Sequence, residues 1–119
     1  MLISLSYSFL IKANQVFGGT IMSEQIKNIY FIEETQNIEG SYIEVKTLFV
    51  NENKETALQF YETQAKKQQK SFGLTLSEYK IKAEASYFYQ LLKRWSHLPA
   101  DFYRKMNIVQ YQPLAEYYA

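Results

Sequence analysis

Apolar and polar positions alternate early in the chain and then change period. Ile29 to Thr35, IYFIEET, is rich in β-branched and aromatic residues and reads as a strand. Gln36 to Ser41, QNIEGS, supplies the turn formers Asn37 and Gly40. Tyr42 to Val50, YIEVKTLFV, alternates again, with Ile43, Val45, Thr47 and Phe49 on one face and Tyr42, Glu44, Lys46 and Leu48 on the other. Two strands around a short Gly-containing loop predict an antiparallel hairpin, which needs a cover to be stable.

The period then lengthens. Asn51 or Asn53 can cap a helix over Lys54 to Gln69, where Ala57, Leu58, Tyr61 and Ala65 recur at helical spacing beside Phe60. Glu55 sits early and Lys66, Lys67 and Lys70 late, as the helix dipole favours. Gly73 breaks the pattern, and Thr75-Leu76-Ser77-Glu78 has the form of a capping box. Residues 77–83, SEYKIKA, also alternate like a strand. A strand there needs a turn before the helical pattern at 85–95, and no Gly, Pro, Asn or Asp lies between 74 and 98. The preferred reading is therefore one helix from Leu76 to His97, with Tyr79, Ala83, Tyr87, Leu91 and Trp95 as an i+4 ridge. Pro99 ends it and opens a short helix through Met106, and residues 107–112 suit an edge strand before Pro113.

These elements define an α+β fold: an antiparallel hairpin, with a third edge strand, packed against two main helices and a short third. The expected core is Ile32, Val45, Phe49, Leu58, Tyr61, Phe88, Leu91, Leu92 and Trp95. The length of 119 residues fits one domain.

The first twenty-one residues look foreign to it. Met1 to Ile11 is apolar and uncharged, but it lacks a basic n-region and is too short to span a bilayer. Gly18-Gly19 precedes Thr20, Ile21 and Met22, and two Gly codons can spell a ribosome-binding sequence ahead of an ATG. Residues 1–21 are expected to be translated leader, with a disordered or extra segment (a strand or helix) and a signal or membrane anchor as the alternatives, and 22–119 the single domain. Phe, Tyr, Met, Ile, Asn and Lys total 49 against 16 for Gly, Ala, Arg and Pro, a bias toward AT-rich codons that suggests a low-GC bacterium, its phages or plasmids.

Chemistry is sparse. The absence of Cys removes thiolate metal sites and a catalytic thiol. Glu33 and Glu34 are adjacent, but strand neighbours point to opposite faces and cannot act together on one substrate. His97 and Asp101 are the only His and Asp, with Pro99 between them and no third ligand nearby. No phosphate-binding glycine loop or nucleophile elbow occurs. The expectation is a cytoplasmic protein that is not an enzyme, with no catalytic residue, cofactor or metal and no membrane partner.

Charge is uneven although the total is +1. Residues 22–64 hold 3 basic and 8 acidic groups, whereas residues 65–105 hold 9 basic and 3 acidic. On a helix from 76 to 97, Lys82, Ser86, Tyr89 and Lys93 share a polar face suited to phosphate and base contacts. The candidate nucleic-acid residues are Lys66, Lys67, Lys82, Tyr89, Lys93, Arg94, Arg104 and Lys105. The strand at 43–50, two helices and the FGLTLSEY run resemble ribbon–helix–helix DNA-binding proteins and related antitoxins. That resemblance implies a strand paired across a dimer and inserted in the major groove. The leading expectation is nevertheless a protein-binding accessory or inhibitor of mobile-element type, because Tyr is abundant and favours interface centres. A nucleic-acid regulator is the alternative, and a homodimer suits either.

Overall fold

A computed structural model describes residues 24–118, the side chains of Val45 and Ala100 apart. The expected leader at 1–21 and the expected core position of Val45 lie outside the described residues. The chain runs β1 (Gln25–Ile38), β2 (Ser41–Asn51), α1 (Lys54–Ala65), β3 (Phe72–Ala83), α2 (Ala85–Arg94), a 3-10 turn (Trp95–His97), α3 (Ala100–Arg104) and β4 (Ile108–Tyr118). The fold is α+β. Among the described residues the four strands form one sheet in the order β2-β1-β3-β4, with every neighbouring pair antiparallel.

The expected hairpin forms. Glu39 and Gly40 both have positive φ, 52° and 90°, which matches a two-residue turn to the strands' twist. The Gly40 N–H donates to Asn37 Oδ1 at 2.9 Å. Asn53 caps α1 by accepting from the Thr56 N–H at 2.9 Å. This helix ends at Ala65 rather than Gln69. Beyond it Gln68 turns inward, and its amide donates to the Gly73 carbonyl at 3.1 Å.

The single helix from Leu76 to His97 does not form. Residues 72–83 are β3, hydrogen-bonded to β1 on one side and β4 on the other, and the helix begins only at Ala85. The ridge pattern misled because positions i and i+4 share a face in a strand as well as in a helix. Tyr79 and Ala83 satisfy both periods. The strand also passes into the helix without a turn-forming residue, since Glu84 alone, extended at φ −73° and ψ 157°, makes the junction. With FGLTLSEY in a strand and β2 paired to β1 within the chain, the ribbon–helix–helix architecture is not the one adopted.

Helices cover both faces. On one, α1 packs over Tyr30, Ile32, Leu74 and Leu76, with Ala57 fully buried. On the other, α2 and the segment after it pack over Ile29, Phe31, Val50 and Ile81 through Phe88 and Leu91. Tyr87 stacks on Phe102, ring centroids 4.4 Å apart, which fixes α3 to α2. Of the expected core, Ile32, Phe88 and Leu91 are fully buried. Phe49, Leu58 and Tyr61 lie partly buried on the α1 side, and Leu92 and Trp95 on the α2 side. Ile29, Tyr30, Phe31 and Val50, within the hairpin, are also core residues.

β2 departs from simple alternation. Irregularities between Ile32/Glu33 and Glu34/Thr35 shift its register, so that Thr47 opposes Glu33, Lys46 opposes Glu34, and Glu44 opposes Thr35. Each bulge inserts one residue and turns the rest of the strand to the other face. Phe49 therefore packs on the α1 side while Thr47 shares the α2 side with Glu33 and Glu44, which corrects the expected grouping of Thr47 with Phe49.

Candidate functional site

The eight basic and aromatic residues expected to contact nucleic acid do not converge. Lys66 and Lys67 follow α1, on one face of the sheet. Tyr89, Lys93 and Arg94 lie on α2, over the opposite face, and are exposed. Lys82 belongs to β3, and because its neighbours Ile81 and Ala83 pack toward α2 it points away from that helix. The shared helical face of Lys82, Ser86, Tyr89 and Lys93 is thus absent. Arg104 and Lys105 end α3, where the Lys105 ammonium lies 3.5 Å from Asp101. Within the set, Tyr89 and Lys93 are four residues apart on α2 with Arg94 next to Lys93, while Lys66–Lys67 and Arg104–Lys105 are separate neighbouring pairs at the ends of α1 and α3.

Two other features stand out. The first is an edge. β4 carries one charged residue, Glu116, in eleven positions, and exposes Ile108, Val109, Tyr111, Tyr117 and Tyr118. The other edge, β2, presents Glu44 and Lys46 to solvent. Both edge ladders contain two irregularities, so the edges differ in side chains rather than in regularity.

The second is a polar cluster on the α2 side, beyond the reach of the helices toward the hairpin tip. β1 contributes Glu33 and Thr35, β2 contributes Glu44 opposite Thr35, and β3 contributes Thr75 and Gly73 opposite Glu33 and Thr35, with Ser77 one step further along opposite Phe31. Aromatic rings flank it at both ends. Phe31, under the helices, meets Tyr79 and Tyr103 edge-on at 4.9 and 5.9 Å, and Tyr79 lies 5.0 Å from Tyr111 of β4. At the other end Tyr42 of β2 and Tyr118 of β4 reach toward one another across the sheet, ring centroids 4.6 Å apart. The hydroxyls of Ser77 and Tyr111 are 3.4 Å apart.

The electrostatics are unusual. Burial pushes the Glu33 carboxyl up to about 7, helped by the charge of Glu44 and a hydrogen bond with it. Burial and the charges of both carboxylates raise the Tyr79 phenol. Burial, then the charge of Glu33, raises Tyr103. Two buried polar atoms have no hydrogen-bond partner, Glu33 Oε1 and Thr35 Oγ1, and Thr35 is only 3% exposed. Buried polar atoms without a partner are costly; the Thr35 hydroxyl, donor and acceptor both, lies against Gly73 beneath the Tyr118 ring. Among the described residues no group of three His, Asp or Glu side chains is placed to hold a metal ion.

The sequence pairing of Glu33 with Glu34 fails as expected, since they face opposite sides of β1. Glu33 finds its partner carboxylate across the ladder instead. Sequence reasoning missed Glu44, Tyr79, Tyr103 and Tyr111 as its companions. The signal for Glu44 was the hairpin itself, because folding 29–35 onto 42–50 about Asn37–Gly40 brings 44 near 33–35.

No protein-family model matches the chain, and comparison with curated proteins and with solved structures finds no match.

Proposed function

We propose that the protein acts by binding another polypeptide, and that the partner lays an extended segment along β4. The observation that carries this reading is the edge strand with five large exposed apolar side chains and a single charge. Exposed apolar patches of this kind mark interaction sites. An edge strand also leaves backbone N–H and C=O groups without a strand neighbour, and an added strand satisfies them while alternate side chains read the partner. No helix among the described residues is long and apolar enough to cross a membrane. The partner chemistry that fits is an uncharged, apolar-patterned segment, from a different protein or from the β4 of a second copy.

The test is hydrogen exchange with capture from the source cells, with and without nuclease. A partner that survives nuclease, slows exchange along 108–118, and is lost on changing Val109 and Tyr117 together to Lys supports the reading. Light scattering of the pure protein tells a second copy from a foreign partner. Capture that vanishes with nuclease and depends on Lys93 and Arg94 would instead establish the nucleic-acid alternative on α2.

A further inference from the structure

The β4 edge has a candidate occupant within the chain itself. Met1–Ile11 reads MLISLSYSFLI, and in it Ile3, Leu5, Tyr7 and Phe9 alternate with Ser4, Ser6 and Ser8. That is the period of a strand with one apolar face. The run carries no charged side chain, and it equals β4 in length, eleven residues against eleven. β4 itself has the single charge of Glu116 and exposes Ile108, Val109, Tyr111, Tyr117 and Tyr118. Free edges are ordinarily guarded by charge, as β2 is by Glu44 and Lys46, whereas the composition of β4 suits an edge that another strand covers.

Topology brings the two within reach. The described residues begin at Glu24, and Gln25 of β1 lies opposite Ala83 of β3. Ile108 of β4 lies opposite Ile81, two residues from Ala83, so β1 and β4 start at the same end of the sheet. In the order β2-β1-β3-β4, the place beyond β4 is three strand spacings from β1, about 14 Å. Residues 12–23 reach about 40 Å when extended, far more than that crossing needs. A run that ends near Ile108 and extends back along β4 toward Tyr118 travels antiparallel to it, the relation of every neighbouring pair in the sheet.

We propose that Met1–Ile11 pairs with β4 as an additional antiparallel strand and so competes with the extended partner for that edge. The competition rests on the reading of β4 as the docking edge; the pairing does not. Residues 1–11 then belong to the working protein and are not a translated leader. Pro113 offers no N–H, so the ladder is interrupted there and the segment joins β4 on both sides of it. Backbone groups along the edge gain partners, and apolar side chains of both strands leave water together.

The chain has no Cys, so Ser6→Cys gives a unique attachment point for a nitroxide spin label. Amide NMR signals of the labelled full chain are compared before and after the nitroxide is reduced. The expected result is signal loss strongest at 108–118, declining across β3 and β1 toward β2, and unchanged on dilution. Spin-labelled chains without isotope, mixed with isotope-enriched chains without the label, should cause no loss, because the contact lies within one chain. Hydrogen exchange along 108–118 should speed up about tenfold or more when Leu5→Glu and Phe9→Glu are combined, with exchange in β1 unchanged. No loss at β4, loss strongest along β2, or loss in the mixed sample overturns the inference, the last in favour of a second copy. So does exchange along 108–118 that ignores the double substitution, or a protein from the source cells whose intact mass lacks residues 1–11. A partner captured along β4 without signal loss refutes the pairing and leaves the docking reading standing. Signal loss with no partner captured supports the pairing and refutes the docking.

Discussion

A Cβ placed on Gly73 would stand 2.5 Å from Oγ1 of Thr35, its partner across the β1–β3 ladder, and 2.9 Å from Cδ1 of Tyr118. The glycine lets the tyrosine ring lie flat on the sheet over a buried threonine. It is needed for space and not for a special backbone angle, since its φ is not positive.

Gly73→Ala should therefore destabilise the protein. An alanine reduces unfolded-chain entropy, worth about 0.4–1 kcal/mol in its favour. The clash includes the Tyr117 carbonyl at 2.7 Å, a backbone atom that cannot swing aside, and overpacking of this kind costs about 1–3 kcal/mol. A denaturant midpoint lowered in the alanine variant is the expected outcome; an unchanged or raised midpoint would mean the Tyr118 ring does not sit there.

Glu33 makes stability depend on pH. Its folded pKa, about 7, lies above its ordinary carboxylate value, so the folded state holds the proton more tightly than the unfolded chain. Its contribution is fully present below about pH 4.5 and is lost as pH rises through 7, a change on the order of 3 kcal/mol at most. Glu33→Gln, which keeps the shape and removes the charge, should flatten the profile between pH 5 and pH 8 and be the more stable protein at pH 8. Urea melts at four pH values across that range, on both proteins, measure it.

Leu91 is fully buried between α2 and the sheet. Leu91→Ala should cost about 2–5 kcal/mol by lost transfer energy and the cavity left behind. A loss under half a kilocalorie in the same melt would put the helix in a different register.

At the start of α1, Asn53→Ala removes the side-chain acceptor of the Thr56 N–H and should cost about 1 kcal/mol. Asn51→Ala is the useful contrast. Its Oδ1 accepts from the Asn53 N–H at 2.8 Å and positions the cap without being it, so its effect should be smaller.

Nucleic-acid binding makes a separable forecast. Lys82 and Lys93 sit on different elements, β3 and α2, and do not share the helical face expected of them. A gel-shift titration at low salt should show no binding at roughly tens of micromolar, because the near-neutral chain lacks the phosphate contacts that supply affinity. If binding does occur, Lys93→Glu should flatten the salt dependence and Lys82→Glu should leave it unchanged.

The hairpin, its Asn37–Gly40 turn, the Asn53 cap, the short helix after Pro99 and the first half of the edge strand, which continues through Pro113 to Tyr118 instead of ending before it, are all local facts. Each depends on residues within a few positions of one another, and each was legible in the sequence. Residues 76–83 were not. Tyr79 and Ala83 satisfy a strand and a helix alike, and a capping box at Thr75–Glu78 tilts the local balance toward helix. The decision came from β1 and β4, which offer this segment a hydrogen-bonded ladder on each side while Leu74 and Leu76 bury against α1 and Ile81 against α2. The Glu33–Glu44 pair is likewise a tertiary product. Alternation along β1 correctly separates Glu33 from Glu34, but which residue of β2 faces Glu33 depends on two bulges that no local pattern announces. Sequence determined the elements whose energies are local. Tertiary structure decided the strand register and the identity of β3, because backbone pairing and burial between distant segments outweigh local propensity wherever two periods fit the same residues.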